Sequence, residues 1–304
     1  MIAEGGGDVV IVIADVDRTL IEPGGSESDE CALLFAALAA QEVSYGFATA
    51  RGYPSLVSVL PRSISKAQFS IRSDGAILLA APAAARNEPG LRVVHRCTVP
   101  DVLRVFDLVR SLRDFSAMTF AFLDDRSNYA VGTEDDFIGD IELSTILQGR
   151  PRLRLREILA VGREDVLSVG ILADRLECEQ FAVKLSSILK QSPDFRLRVF
   201  PEVRIPEQGL WWCEVSAELA DKGAALGELV AGGHIDLSKL PVVVLADGEN
   251  DLALAEYGDL VLCPPWAAQS LKDQATVIGD VGSCANFTKR VLDVLLKTLT
   301  DGSV

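Results

Sequence analysis

The sequence predicts an α/β protein: a mostly parallel sheet with helices on its faces, interrupted by a second α/β unit. Three observations predict this. Short β-branched runs alternate with longer Ala- and Leu-rich runs near both ends of the chain. The stretch between them differs in texture and carries an alternation of its own. Acidic clusters directly follow two of the most apolar runs, which is where open α/β sheets place their ligands.

Val9 to Ala14 is β-branched and bounded by Asp8 and Asp15, so it reads as a buried strand. Ser28 to Glu42 reads as a helix, with Ser28 or Asp29 as its N-cap. Val43 to Ala48 is a second strand and Pro54 to Leu60 a helix. Phe69 to Ser73 and Ala76 to Ala80 are strands around an Asp74-Gly75 turn. Ala81 to Gly90, rich in Ala, Pro and Asn, reads as a linker. The inserted unit follows, with strands at Leu91 to Cys97, Met118 to Leu123, Asn128 to Thr133, Val166 to Ala173 and Arg196 to Phe200. Its helices are Val102 to Leu112 and Glu177 to Lys190. The first texture then returns: strand Trp211 to Ser216, helix Lys222 to Val230, strand Pro241 to Ala246, helix Asp251 to Tyr257, strand Leu260 to Cys263 and helix Asn286 to Leu299. Asp301 to Val304 reads as a frayed tail. The expected domains are therefore 1–80 and 210–304 for the core, and 81–209 for the insert.

Charge narrows the partners. The chain has 304 residues, with 29 Lys and Arg against 44 Asp and Glu, a net charge of −15. That balance excludes general binding to nucleic acid or to anionic membranes. It leaves a phosphorylated small molecule open, because a metal ion reverses the local sign of a site. No apolar run approaches a membrane helix, and MIAEGGGD lacks the basic start of a secretion signal. Cys31, Cys97, Cys178, Cys213, Cys263 and Cys284 form no CxxC and have no neighbouring histidine, against a zinc site or a disulfide scaffold. A cytoplasmic monomer or homodimer is expected.

Four local patterns carry chemistry. Asp15 and Asp17, in Asp15-Val16-Asp17-Arg18-Thr19, stand two apart after the first strand, so an extended backbone presents both carboxylates on one side. They repel unless a cation joins them or one keeps its proton. The bland alternative is a turn with Asp17 as a helix cap. Asp247 and Asp251, in Asp247-Gly248-Glu249-Asn250-Asp251, stand four apart across a strand-to-helix turn and suit one hard cation; the bland alternative is Asp247 and Asn250 as turn and cap residues. Thr49, with Arg51 nearby, stands at a third strand end, where a hydroxyl and helix-start amides can hold phosphate. Lys222 opens a helix, against the dipole's preference, which suggests an anionic partner.

The order of these patterns resembles the haloacid dehalogenase (HAD) superfamily of phosphohydrolases. Asp15, Asp17 and Thr19 come first, then Thr49, Lys222, and the pair Asp247 and Asp251. The supporting texts are ATAR at Ala48 to Arg51, SDGA at Ser73 to Ala76, DKG at Asp221 to Gly223 and DGENDLAL at Asp247 to Leu254. An α/β insert between Thr49 and Lys222 is similar to the type IIB subgroup: a Rossmann-like HAD core with a C2B cap. That subgroup includes sucrose-phosphate and trehalose-phosphate phosphatases, Cof-type enzymes and phosphomannomutase. Arg18, Ala246 and Asp74 depart from its pattern, standing where Gly, Gly and Asn are usual.

The resemblance implies Asp15 as nucleophile forming an aspartyl-phosphate and Asp17 as general acid and base. It implies Mg2+ on Asp15, the Asp17 carbonyl, Asp247 and Asp251, and phosphoryl contacts from Thr49, Lys222 and Asn250. The substrate would be a small phosphomonoester, a sugar phosphate above all, which places the chain in carbohydrate metabolism. Arg18, Arg51, Glu207 and Trp211 are candidate substrate contacts. Arg18 would reach either the substrate or an acidic residue of the cap. A phosphomutase on the same scaffold is the alternative, with the basic run Arg150 to Arg156 as its only candidate second phosphate site. A non-catalytic binding subunit is disfavoured by the complete set of acidic residues.

Overall fold

A computed structural model describes residues 10–81, 91–99, 105, 108, 111, 118–123, 129–131, 152–154, 166–189, 194–201, 208–238, 240–279 and 281–301. In chain order the elements are β1 (Ile11–Ala14), α1 (Asp29–Ala40), β2 (Ser44–Ala48), α2 (Tyr53–Val59), β3 (Phe69–Arg72), β4 (Ile77–Ala80) and β5 (Arg92–Arg96). Next come β6 (Met118–Leu123), β7 (Tyr129–Val131), β8 (Arg152–Arg154), β9 (Val166–Asp174), α3 (Arg175–Leu189), β10 (Phe195–Pro201) and β11 (Leu210–Ala217). The chain ends with α4 (Lys222–Ala231), β12 (Val242–Leu245), α5 (Leu252–Ala255), β13 (Leu260–Cys263), α6 (Gln269–Lys272), β14 (Thr276–Val277) and α7 (Cys284–Asp301).

The chain divides into two compact units, residues 1–96 with 221–304, and residues 97–220. Among the described residues the first holds an eight-stranded sheet in the order β14-β13-β12-β1-β2-β3-β4-β5. Its pairs from β14 to β3 are parallel, while β3–β4 and β4–β5 are antiparallel. Among the described residues the second holds a six-stranded sheet, β10-β11-β9-β6-β7-β8, antiparallel except for β7–β8.

β1 shows why the first sheet is covered on both faces. Successive strand residues point to opposite sides. Val12 and Ala14 join a core with Leu34, Phe35 and Leu38 of α1 and with Phe287, Val291 and Leu295 of α7. Ile11 and Ile13 join another core with Leu226 and Leu229 of α4, Leu254 of α5 and Leu271 of α6. An all-apolar strand of this kind is the mark of a parallel sheet buried between helices. α1 begins where Ser28 Oγ accepts from the Cys31 amide at 3.1 Å, with Asp29 and Glu30 against the positive end of the dipole.

Both seams lie beyond the expected positions. β5 was expected in the insert, but it pairs with β4 and extends the first sheet. β11 was expected in the core, but it lies between β10 and β9 in the second sheet. A local pattern shows that a strand exists; its partner is set by pairing over long sequence separations. The short α6 and β14 were not anticipated. The expected Asp251 to Tyr257 helix is a 3-10 turn at Glu249–Asp251 followed by the four-residue α5. The linker after Ala81, most of the Val102 to Leu112 helix, the basic run apart from β8, and the tail after Asp301 fall outside the described residues. Among the described residues no helix is long and apolar enough to cross a membrane. All six cysteines are buried thiols.

Candidate active site

β12, β1 and β2 lie side by side in parallel, and each ends in a residue of the site. Asp15 follows β1, Thr49 follows β2, and Asp247 follows β12 after Ala246. β1 lies between the two halves of the sheet, at the position where strand order reverses, the place at which open α/β sheets bind ligands. The Asp15 amide donates to the Leu245 carbonyl at 2.8 Å, which sets the first acidic loop beside the second.

Lys222 joins the clusters. Asp221 caps α4, its Oδ1 accepting from the Gly223 and Ala224 amides at 2.9 and 3.0 Å. The next residue therefore enters the first turn, and its side chain runs into the site. Lys222 is 1% exposed, and its Nζ donates to Asp15 Oδ1 and to Asp251 Oδ1, each at 2.6 Å. Thr19 Oγ1 lies 3.1 Å from Asp15 Oδ2 and 3.4 Å from Asp247 Oδ1. Asp251 Oδ2 accepts from the Gly248 amide at 3.0 Å and the Asp247 amide at 3.3 Å.

Burial decides the electrostatics. Desolvation pushes the Asp15 carboxyl well above its ordinary range; Lys222 pulls it back, while Asp251 and Asp247 push it further up. Desolvation also raises Asp247 to about 7, with Arg18 opposing and Asp251 adding to the rise. Burial alone would lower Lys222, but Asp15, Asp251 and Asp74 outweigh it and keep the ammonium charged.

Asp74 reaches this network through an unusual backbone. Ser73, Asp74 and Gly75 have φ of 49°, 52° and 100°, three successive left-handed residues. A Cβ on Gly75 would stand 2.3 Å from the Asp221 carbonyl oxygen, so only glycine allows this loop to abut the start of α4. Asp74 is buried, and its Oδ1 accepts from Asn250 Nδ2 at 3.1 Å. Asp74 thus ties this turn to Asn250 of the second acidic loop.

A second group surrounds Asp17. Arg51 is 8% exposed and donates to both Asp17 oxygens, from Nε at 2.8 Å and Nη2 at 2.6 Å. Its Nη1 donates to Ser55 Oγ at 2.7 Å. Thr49 Oγ1 accepts from the Arg51 amide at 3.1 Å, leaving its O–H to donate.

The contacts of Arg18 lie beside the second acidic loop. Its Nε lies 3.3 Å from Asp247 Oδ2 and its Nη2 donates to the Trp266 carbonyl at 3.2 Å. Its backbone φ is 61°, the region in which glycine is at ease. Trp211 belongs to the second unit, with the Arg175 guanidinium 4.8 Å over its ring. Glu207 lies outside the described residues. Sequence reasoning passed over Trp266, which carries no motif, and treated Asp74 only as a departure from a pattern.

The residues fit a divalent cation. Asp15, Asp247 and Asp251 each offer a carboxylate oxygen, all within 4.8 Å of one another. Asp247 Oδ2 is buried and accepts no hydrogen bond. An all-oxygen, anionic donor set with one unsatisfied oxygen suits a hard cation.

No family model matches the chain, and no curated protein matches it. Solved structures do. A haloacid dehalogenase-like hydrolase from Bacteroides thetaiotaomicron is 15% identical, with 92% of this chain and 98% of that one covered at a TM-score of 0.69. A haloacid dehalogenase-like hydrolase from B. subtilis is 18% identical, with 92% and 99% covered at 0.65. A sugar phosphatase of HAD subclass IIB is 15% identical, with 88% and 92% covered at 0.60. The chain has the fold of HAD-like hydrolases.

Proposed function

We propose that this protein is a Mg2+-dependent phosphatase of a sugar phosphate or a related small phosphomonoester. One observation carries the reading: a buried ammonium, Lys222, ties Asp15 to Asp251 beside the unsatisfied oxygen of Asp247, at the carboxyl ends of the central strands. Carboxylates gathered this way repel a phosphate dianion unless cations outweigh them. The first unit is read as the HAD core and the second as the C2B-type cap. The fold shared with a subclass IIB sugar phosphatase supports the substrate class. Buried thiols suit the reducing cytoplasm.

Mg2+ held by Asp15, the Asp17 carbonyl, Asp247 and Asp251 would neutralise charge on the phosphoryl oxygens. Asp15 attacks phosphorus while the P–O bond to the leaving alcohol breaks, giving an aspartyl-phosphate. Asp17 supplies that alcohol's proton. Arg51 grips both Asp17 oxygens, so this step needs the grip to open on one of them. In the second step Asp17 takes a proton from water as the water attacks phosphorus, and Asp15 is released with inorganic phosphate. Thr49, Lys222 and Asn250 hold the phosphoryl oxygens, so that catalysis is chiefly positioning and charge neutralisation.

The test is phosphate release from a panel of sugar and polyol phosphates, with Mg2+ and with EDTA. Release that needs Mg2+ is expected. Isomerised sugar phosphate without release would replace the reading with a mutase. No turnover of any kind by folded, Mg2+-loaded protein would count against catalysis.

The same site predicts a pH-dependent response to metal. Asp247 holds its proton up to about pH 7 when folded and metal-free, but only to about pH 4 when unfolded. Between those values the folded state binds the extra proton, so this group's contribution to stability falls as pH rises. A divalent ion held by Asp247 would take the place of that proton. The gain in Tm from Mg2+ over EDTA is therefore expected to be small at about pH 5 and to grow by several degrees at about pH 8. Thermal unfolding across that range checks it, and a gain independent of pH would contradict it.

A further inference from the structure

We infer that Arg18 is a tethered cation that occupies the open oxygen of Asp247 and must be displaced when a divalent ion binds. The inference rests on the metal-site reading above. Nearly every oxygen of the three clustered carboxylates already accepts a bond. Asp15 Oδ1 accepts from Lys222, Asp251 from Lys222 and two backbone amides, and Asp15 Oδ2 and Asp247 Oδ1 share the one Thr19 hydroxyl proton. Asp247 Oδ2 is the exception, and the Arg18 Nε stands 3.3 Å from it without making a hydrogen bond. The one carboxylate oxygen without a hydrogen bond is thus the one faced by the guanidinium.

Arg18 is held there by its surroundings. Its φ of 61° is unfavourable for a long side chain. The Trp266 indole donates to the Arg18 carbonyl at 2.7 Å, and Arg18 Nη2 donates back to the Trp266 carbonyl at 3.2 Å. This reciprocal clasp fixes backbone and side chain together. The charges explain its use. Asp15, Asp247 and Asp251 are all buried, and Lys222 balances only one of the three. Arg18 offsets part of the charge that remains on Asp247 when the metal is away.

Arg18 can also leave. Its side chain is 42% exposed against 7% for Asp247, so the guanidinium moves into water rather than through the core. An ion pair lacking hydrogen-bond geometry is weaker than a charge-assisted hydrogen bond. Metal entry therefore exchanges a loose contact for direct ligation, and Arg18 acts as a positioning residue that sets the threshold for metal binding.

The test is equilibrium dialysis of the metal-stripped full chain against Mg2+, comparing wild type with Arg18→Gln, Arg18→Lys and Trp266→Phe. Arg18→Gln removes the competing charge and is expected to bind Mg2+ about fivefold more tightly. Arg18→Lys keeps the charge and should stay within about twofold of wild type. Trp266→Phe loosens the clasp without touching a carboxylate, and tightening of about twofold is expected. Equal or weaker binding by Arg18→Gln, with wild type binding Mg2+, overturns this inference and leaves the metal site standing. No Mg2+ bound by wild type overturns both.

Discussion

Asp15→Asn is expected to lower phosphate release by about 10^4-fold or more while the chain stays folded. The loss is chemical, because an amide cannot form the aspartyl-phosphate that Asp15 would carry. Survival of the fold follows from the neighbours. Asp15 Oδ1 accepts from Lys222 and Asp15 Oδ2 lies 3.1 Å from Thr19 Oγ1. An asparagine can turn its oxygen toward the ammonium and its NH2 toward the Thr19 hydroxyl, which accepts as readily as it donates. The substitution also removes a carboxylate whose burial disfavours its charge. Cooperative thermal unfolding near the wild-type temperature, with turnover lost, is the expected pair of results. Turnover within about tenfold of wild type, in protein free of contaminating phosphatase, would remove Asp15 from the mechanism.

The centre of the site was legible because its residues follow directly on strands that are easy to see. Ile11–Ala14 and Val242–Leu245 are apolar throughout, so they read as buried strands and the residues after them as lying at the carboxyl end of the sheet. The order of Asp15, Thr49, Lys222 and Asp247 then suggested a shared crevice, and Lys222 does bridge Asp15 to Asp251. Arg18 was less legible. A position that favours glycine turns its chain back, and its clasp is Trp266, 248 positions away. Nothing local to either residue announces that pairing. Asp74 was visible as a departure, yet its place beside Lys222 depends on three successive left-handed residues and on Gly75 fitting against Asp221. The seams between the units were misplaced for a related reason. The texture of β5 and β11 marks them as strands, while their hydrogen-bonding partners assign them to sheets. Short α6 and β14, of four and two residues, are below the length at which periodicity can be read.

Lys222→Met should have the largest effect on stability, and it separates structural from catalytic use of the same ammonium. Nζ is the only side-chain cation hydrogen-bonded to Asp15 or Asp251 among the described residues. Breaking one side of a buried ion pair typically costs about 3–5 kcal/mol, because the remaining charge is left without compensation. Here the remaining charges are two carboxylates, with Asp74 and Asp247 close by. The loss in the metal-free protein is therefore expected to be about 3 kcal/mol or more near neutral pH. It should shrink toward acid pH, where Asp15 takes up a proton and needs no partner. Adding Asp251→Asn to Lys222→Met removes one of the stranded charges, so the double variant should regain part of the lost stability. Mg2+ should restore part of it to the single variant, since another cation then faces the same oxygens. Urea unfolding of the three proteins, with Mg2+ and with EDTA, measures all of these terms. Turnover should not return with stability: losing one charged phosphoryl contact costs about 10^2- to 10^3-fold even in a folded site. A single variant as stable as wild type in EDTA at neutral pH would mean that the buried carboxylates are already neutral without Lys222. The ammonium would then serve the phosphoryl group alone.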